Sequence, residues 1–556
     1  MWNSHIFQIF LLYFLNLSNG QGIRPAVRVR LNRQVFDQAS AIVGGLVEYE
    51  VPRVSIPPTR QCFTEGCVEA HSFRMTSFRQ PSTVAFEPFY PNQFRIRVTD
   101  FDFVVTGHLT GSIQVILNIP IHGTIVVVGR NIAVTAQLDL QKTVRDQPYL
   151  RFVRCGIEGG LVTARIENMG LLTDAVNNKF GALLSTQSRQ QLEEAICENM
   201  NRLTQLHFST RLSRIPRSIS AKELIDILIS NNIDTSHIHT NRVKKAISED
   251  YYDEVQKTEP STDSDFPEPT VNYQNIKLTR KDILNFFNID RLAHILVDMT
   301  LMDAASTSSE FSLGIAGNVY SVRSEGSSPY SVPHPFRIPS NQKRKMVEVV
   351  VSEYTINSLL YQAHRTNSLL FHIDSSTHIV GPLLKTTCSA DEVCVSDEIR
   401  KIGQMYPNRR LELIVRSTKA PVMTLANDLA TLGMEGRCIF FLEGTRQKIG
   451  VIPFSAIVAS SVKSVGKMLY VKTKIQKLEF GRDVELVGLG AQDLDGLRRI
   501  TKSSLERFIN SATANGVPLS TASIKSPLRL YNPQIEILQK AILLQADVDL
   551  YKSLYH

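Results

Sequence analysis

The sequence predicts an α+β protein made of two successive units of one plan, each a long twisted antiparallel sheet joined by long amphipathic helices. Three observations carry this expectation. Apolar residues alternate with period two from Phe94 to Leu140. The pattern turns helical from Leu171 to about Leu206, and again from about Asp493 to Ala514. A Pro-rich stretch from Ser324 separates two runs in which strands and then a helix recur, without a residue-level repeat. Period-two and helical patterns mark half-buried strands and amphipathic helices. A chain of 556 residues is also too long for one ordinary core.

The first twenty residues read as a signal peptide. The apolar run from Ile6 to Leu15 is too short to span a bilayer, and Ser18-Asn19-Gly20 is a small-x-small cleavage pattern. No later stretch is long and apolar enough for a membrane helix, so the mature protein is expected to be soluble, secreted and extracellular. The stretch QVFDQASAIVGGLVEYEV follows, with a helical apolar face at Val35, Ala39, Ile42, Leu46 and Tyr49. Gly44 and Gly45 interrupt it, each costing roughly 1 kcal/mol against alanine.

The strands come next. Phe94, Ile96 and Val98 give way to Phe101, Phe103 and Val105, then to runs through Ile113–Ile119, Val126–Val128 and Ile132–Leu140, punctuated by glycines. Strands this long must curl or pack to hide their apolar face. The helix from Leu171 carries Cys197, and Cys155 lies at the end of the preceding strand. From about 214 to 288 the signal degrades into an acidic, Pro- and Ser-containing segment expected to be a disordered insert, flanked by shorter helical patterns at AKELIDILI and RKDILNFF. Strands resume from Ala293 to Arg323, and residues 324–342 read as a linker. The predicted organisation is thus a first domain over 23–323 and a second over 343–556. In the second, short strands near Val349 and Phe371 lead to a helix at Asp397–Met405. Strands follow at LELIV, CIFFL, VIPFSAIV and MLYVKTKIQKL, and two more close the chain.

Seven cysteines in an oxidising compartment imply disulfides and one leftover thiol. The expected pairs are Cys62–Cys67, Cys155–Cys197 and Cys388–Cys394, with Cys438 in the apolar run CIFFL as a buried free thiol; sequence alone does not fix this connectivity. The formal charge of +8 is spread over scattered basic residues with no aromatic-interleaved stripe, so no nucleic-acid partner is expected. No G-x-S-x-G, H-E-x-x-H or Walker A pattern is present, and GLGAQD from Gly488 puts Asp493 where a dinucleotide loop needs glycine. His237 and His239 lack further ligands at zinc spacing. No enzyme activity, metal or cofactor is expected. What remains is an excess of apolar helix faces laid on curled sheets, which suits a lipid carrier.

The segment AVRVRLNRQVFDQASAIVGGLVEYEVPRVSIP resembles the first strand and helix of the bactericidal/permeability-increasing and lipopolysaccharide-binding protein family, which includes the plasma lipid-transfer proteins. GVPLSTASIKSPLRLYNPQIEILQKAILLQADVDLY resembles its closing strands, and MVEVVVSEYTINSLLYQAHRTNSLLF the start of its second barrel. Cys155 and Cys197 match the family's strand-to-helix disulfide. The resemblance implies an elongated boomerang of two pseudosymmetric barrels joined by a central sheet, with acyl chains of phospholipid or a similar amphiphile in an apolar pocket of each. Implied partners are lipids, transient membrane or lipoprotein surfaces, and a possible receptor. Candidate lining residues are Val35, Ala39, Val43 and Leu46 on the first helix, with Leu172, Val176 and Phe180 on the long helix. Leu497, Leu505, Phe508 and Ile509 are the candidates in the second barrel. The two glycines would then allow sheet or lipid to approach the first helix. The family's endotoxin binders carry basic tips, whereas residues 107–129 here contain neither Lys nor Arg, and PPTRQCFTEGCVEAHSF has one Arg against two Glu. That departure weighs against lipopolysaccharide as the ligand, and the alternative of an innate-immune role at bacterial envelopes stands second.

Overall fold

The computed structural model describes residues 24–63, 66–114, 118–224, 289–323, 326–331, 338–339, 345–377, 380–389, 392–466, 468–481, 484–485, 491–514, 516–518 and 530–551, with some side chains inside these ranges excepted. The leader, most of the acidic insert and part of the Pro-rich segment lie outside the described residues.

Strand β1 (Val27–Leu31) leads into helix α1 (Arg33–Glu50). Six strands then form one sheet: β2 (Thr59–Phe63), β3 (Gly66–Arg79), β4 (Thr83–Phe89), β5 (Gln93–Gln114), β6 (Asn118–Lys142) and β7 (Pro148–Glu167). Their order is β2-β3-β5-β6-β7, with β4 pairing on β5. The long helix α2 (Thr173–Thr204) follows as a single element. Short strands β8 (Ser218–Ser220), β9 (Ile295–Asp298), β10 (Leu301–Ser306), β11 (Phe311–Ile315) and β12 (Val319–Ser321) complete the first half. Because β8 pairs with β9, ordered structure continues past Arg214, where the sequence pattern had already degraded; a three-residue strand leaves no periodicity to read.

The second half starts with β13 (Val347–Ser352) and α3 (Glu353–Arg365), whose first turn is capped by Ser352 Oγ accepting from Thr355 N at 3.3 Å. Strands β14 (Leu370–Ile373), β15 (Leu411–Ser417), β16 (Val422–Ala426), β17 (Leu429–Leu442), β18 (Lys448–Val465) and β19 (Met468–Phe480) form a second large sheet with β20 (Val517–Pro518). Helix α4 (Ala491–Thr513) precedes β20, and β21 (Leu530–Leu538) and β22 (Ala541–Val548) close the chain. The helix expected at Asp397–Met405 is two shorter ones, Val395–Glu398 and Arg400–Met405, broken at Ile399, whose φ of −121° and ψ of 72° are not helical.

The two halves share a third sheet of order β10-β11-β1-β13-β22-β21. Arg30 on β1 and Glu348 on β13 are register partners, as are Glu348 and Gln545 on β22. The Arg30 guanidinium and the Gln545 amide both donate to the Glu348 carboxylate, the latter at 2.7 Å, and Glu348 is fully buried. Asn32, at the start of α1, does not cap its own helix; its amide donates to Lys345 O at 2.6 Å and to Glu348 at 3.2 Å.

In the first sheet the strands reach 22, 25 and 20 residues and bend along one crease. Buried positions on β5 shift from Phe94, Ile96 and Val98 to Phe101, Phe103 and Val105. The phase changes at Asp100, whose φ is +58° in a bulge. On β6 the matching residue is Asn131 (φ +51°), and on β7 it is Gly160 (φ +91°), where a Cβ would lie 2.6 Å from Asn131 O. Only glycine fits there. Arg79 on β3 clasps this crease from outside, donating to Asp102 at 2.8 and 2.9 Å and to Asp100 at 2.9 Å.

Neither large sheet closes into a barrel by strand pairing among the described residues. A helix does the closing instead. Helix α2 runs along β7, the edge strand, and its side chains satisfy the free backbone groups there. Asn177 accepts from Ile166 N and donates to Ile166 O, both at 2.8 Å. Ser185 accepts from Ala164 N at 2.9 Å, and Glu193 from Ile157 N at 2.9 Å. Capping an edge this way removes both unpaired donors and a site for unwanted strand addition. The Cys155–Cys197 disulfide fastens the same strand to the same helix; Cys62 is bonded to Cys67 and Cys388 to Cys394.

Candidate functional site

Under the first half of α2 lies an apolar cavity of about 250 Å³. Its floor is the concave face of β5 and β6, through Val105, Leu109, Ile121, Ile125 and Val127. Val68, Ala70 and Phe73 of β3 form one wall. The roof is a stripe at four-residue spacing along α2, Val176, Phe180 and Leu184, continuing to Leu192. This stripe explains why so long a helix buries so little. Its buried residues, Ser188, Leu192, Ala195 and Thr204, all lie from its midpoint onward, whereas Val176, Phe180 and Leu184 before it line the cavity and stay partly exposed. Thr59, Gln187, Ser188 and Gln191 add polar groups to the lining, and Lys179 is its one charged side chain among the described residues, with Nζ 5.1 Å from the Phe180 ring centre.

Of the candidate liners, Val176 and Phe180 do line this cavity. Leu172 does not. Although four residues before Val176, it ends the 3-10 turn Gly170–Leu172 ahead of the helix and is 38% exposed. The candidates on α1 lie elsewhere too. Val35 packs with Met346, Val347 and Val548 beside the central sheet. Ala39 and Val43 belong to the main core, and Leu46 is half-buried outside the cavity lining. The reason is a run of aromatic rings in the core against α1. Phe86 lies 6.3 Å from Phe36 and 5.3 Å from Phe94, and Phe94 lies 4.2 Å from Phe311. These rings fill the volume that α1 would otherwise offer. Tyr49 leaves the apolar face altogether, 59% exposed under the Arg53 guanidinium. The glycines of α1 permit no close approach: Gly44 meets Val84 at an ordinary 3.8 Å, and Gly45 has nothing within 4 Å of its Cβ position.

In the second half the concave face is filled from within. The segment between β14 and β15 folds onto the sheet, where Leu384, Val395, Ile399 and Ile402 pack with Leu411, Phe440, Leu442, Ile449 and Ile452. Leu497 is half-buried and packs against this cluster. Leu505 is 36% exposed and Ile509 half-buried, while the Phe508 side chain lies outside the described residues. Cys438 also packs there as a free thiol, and burial pushes it up to about 12. Cys388, Cys394 and Asp397 cluster closely, but the disulfide ties up both sulfurs and leaves no thiolate pair for a metal. Among the described residues no helix is long and apolar enough to cross a membrane.

Residues 288–550 match the family model described as the LBP/BPI/CETP family, C-terminal domain. The chain belongs to this family. The matched region begins upstream of the Pro-rich segment and takes in β9 to β12, in keeping with the place of β10 and β11 in the shared sheet. Among solved structures, a lipopolysaccharide binding protein is 16% identical with a TM-score of 0.44, over 95% of this chain and 99% of that one. Takeout 1 of Epiphyas postvittana is 12% identical with a TM-score of 0.21, over 32% of this chain and 94% of that one. P47 of Clostridium botulinum A2 is 8% identical with a TM-score of 0.29, over 95% and 97%. At such scores these likenesses carry no argument about ligand or activity. No curated protein sequence matches the chain.

The sequence reading missed the floor, the β3 wall, Leu184 and Leu192. The roof was within reach, because Val176, Phe180, Leu184, Ser188 and Leu192 recur every four residues. The floor residues alternate like any half-buried strand, and alternation does not distinguish a packed face from one that lines a void.

Proposed function

We propose that this protein is a secreted lipid-binding protein that sequesters an acyl chain of phospholipid or a similar amphiphile in the cavity beneath α2. The observation that carries this reading is the cavity itself, with a floor and roof of aliphatic and aromatic side chains and a few polar groups near Lys179. Each methylene moved from water into such a space contributes about 0.8 kcal/mol, so ten offer about 8 kcal/mol. Binding needs no covalent step, and membership of the LBP/BPI/CETP family supports a lipid ligand. Lys179 would meet an anionic headgroup at the mouth. Loading and release imply transient contact with membrane or lipoprotein surfaces. Against a bacterial-envelope role stands the want of Lys or Arg across residues 107–129.

Native mass spectrometry of the protein from a secreting host, with organic extraction of what co-purifies, tests the proposal. A bound amphiphile displaced by a fluorescent fatty acid is the expected result. A protein that carries no amphiphile and takes up no fluorescent fatty acid would overturn it. Binding to anionic vesicles that collapses with salt, with an empty cavity, would favour surface recognition instead.

A further inference from the structure

The face of the first sheet opposite the cavity carries three histidines near its outer end. His71 on β3 is the register partner of His108 on β5. On β6, Thr124 faces His108, and His122, two residues away, faces Thr110. Alternation sets all three on the outer surface, since their neighbours Ala70, Leu109 and Ile121 line the cavity. His108 is therefore a hub, with His71 directly opposite and His122 on the diagonal, both within reach across adjacent strands. We propose that His71, His108 and His122 form a binding site for one divalent transition-metal ion of the zinc or copper type.

Four features support this beyond residue type. The His71 and His108 rings are 6.1 Å apart between centres, with planes at 43°. Two imidazoles on a tetrahedral ion with metal–nitrogen bonds of about 2.0–2.1 Å hold their centres roughly 5 Å apart, so the pair needs to close by about 1 Å to share one. Next, His71 Nδ1 lies 2.9 Å from Ser72 Oγ. With that nitrogen donating to the hydroxyl, Nε2 keeps its lone pair for a metal, the usual way an outer partner selects the tautomer. His108 and His122 are both exposed; among the described residues the three rings do not already converge, so binding requires their side chains to turn toward one ion. Finally, the charge nearby is balanced and sparse. Glu69 faces Thr110 from β3 and makes no ion pair among the described residues, and Arg60 on β2 is its register partner. Arg74 lies further along β3, while on β7 Glu167 faces Thr124 and is paired with Arg165 at 2.7 Å. Neutral imidazoles suit zinc and copper better than calcium or magnesium. The site is separate from the lipid cavity and does not depend on it.

Zinc titration by calorimetry on the full mature chain at pH 7.5 tests the assignment. One saturable equivalent is expected, weakened at least tenfold in His108→Ala and in His71→Ala. Circular dichroism checks that these surface variants fold. His237 and His239 remain in every variant and give the same background throughout. Cu²⁺ spectra should report nitrogen ligands that diminish in number in His122→Ala. Saturable zinc binding that persists unchanged in the His71→Ala/His108→Ala double variant would overturn the site, as would no saturable binding at all. A loss in Glu69→Ala with none in His122→Ala would overturn the three-histidine assignment.

Discussion

Asn177 on α2 and Asn510 on α4 make the same contact in the two halves of the molecule. Each side-chain amide accepts from the N–H and donates to the C=O of one strand residue, Ile166 on β7 and Thr473 on β19, with all four bonds at 2.8 Å. A glutamate supports each: Glu193 accepts from Ile157 N at 2.9 Å, and Glu506 from Ile475 N at 3.2 Å. The halves share no readable repeat in sequence, yet they use one solution to a sheet edge lying beside a helix. Asn177→Ala and Asn510→Ala should each cost about 1–3 kcal/mol, because each leaves a backbone donor and acceptor without a partner. Denaturant unfolding measures the cost. Hydrogen exchange should show the Ile166 or Thr473 amide losing protection in its own variant only.

The cavity and the closed core predict opposite responses. Ala70→Phe adds a ring to the cavity wall and should abolish fatty-acid probe binding with little loss of thermal stability. Val43→Ala removes packed methyl groups beside the aromatic core and should cost roughly 1–3 kcal/mol, leaving probe affinity unchanged. Probe titration and thermal melting of both variants check the pair. Equal effects of the two on binding would mean that α1 lines the pocket after all.

The crease should have an acid signature. Hydrogen bonds from Arg79, then from the Asn131 N–H, hold the Asp102 carboxyl down to about 2, against an ordinary value near 4. A depressed acid contributes stability that is complete above the unfolded value and disappears as pH falls through the folded one. Asp102 should therefore stabilise the fold above about pH 4 and cease to do so near pH 2. The side chain is 37% exposed, so solvent screening keeps the effect modest. Unfolding curves between pH 4 and 2 should fall more steeply for the wild type than for Arg79→Met.

The buried pair at the shared sheet should be costly to halve and cheap to remove whole. Arg30→Met leaves the fully buried Glu348 without its cation and should cost about 3–5 kcal/mol. Arg30→Met with Glu348→Leu should recover much of that loss. A double-mutant cycle by denaturant unfolding gives the coupling.

How much of this was readable beforehand depended on the range of the interaction. The alternation from Phe94 onward showed the strands; its change of phase between Val98 and Phe101 coincides with the bulge at Asp100, which was not read from it. Helix α2 was legible because its stripe is local. Whether the α1 face met lipid or protein was not legible, since Phe86, Phe94 and Phe311 decide it from far along the chain. Nor was the filling of the second sheet: a helix was read over Ile399 and Ile402, but elements of four to six residues do not show which sheet face they pack on. Asn177 and Asn510 look like ordinary polar helix residues until the strand edges beneath them are known.

The shared sheet also sets an order of assembly. Strand β13 joins β1 on one side and β22 on the other, through contacts spanning 318 and 197 residues. The first large sheet can form from β2 to β7 alone, long before the ribosome releases β22. The joint cannot, because its strands come from both halves of the chain and long-range pairing closes slowly. Until then β13 carries an unpaired edge, and the apolar face of α1 around Val35 lacks its contact with Val548. For this protein, the vulnerable interval in synthesis is the wait for the last strands, when aggregation competes with closure.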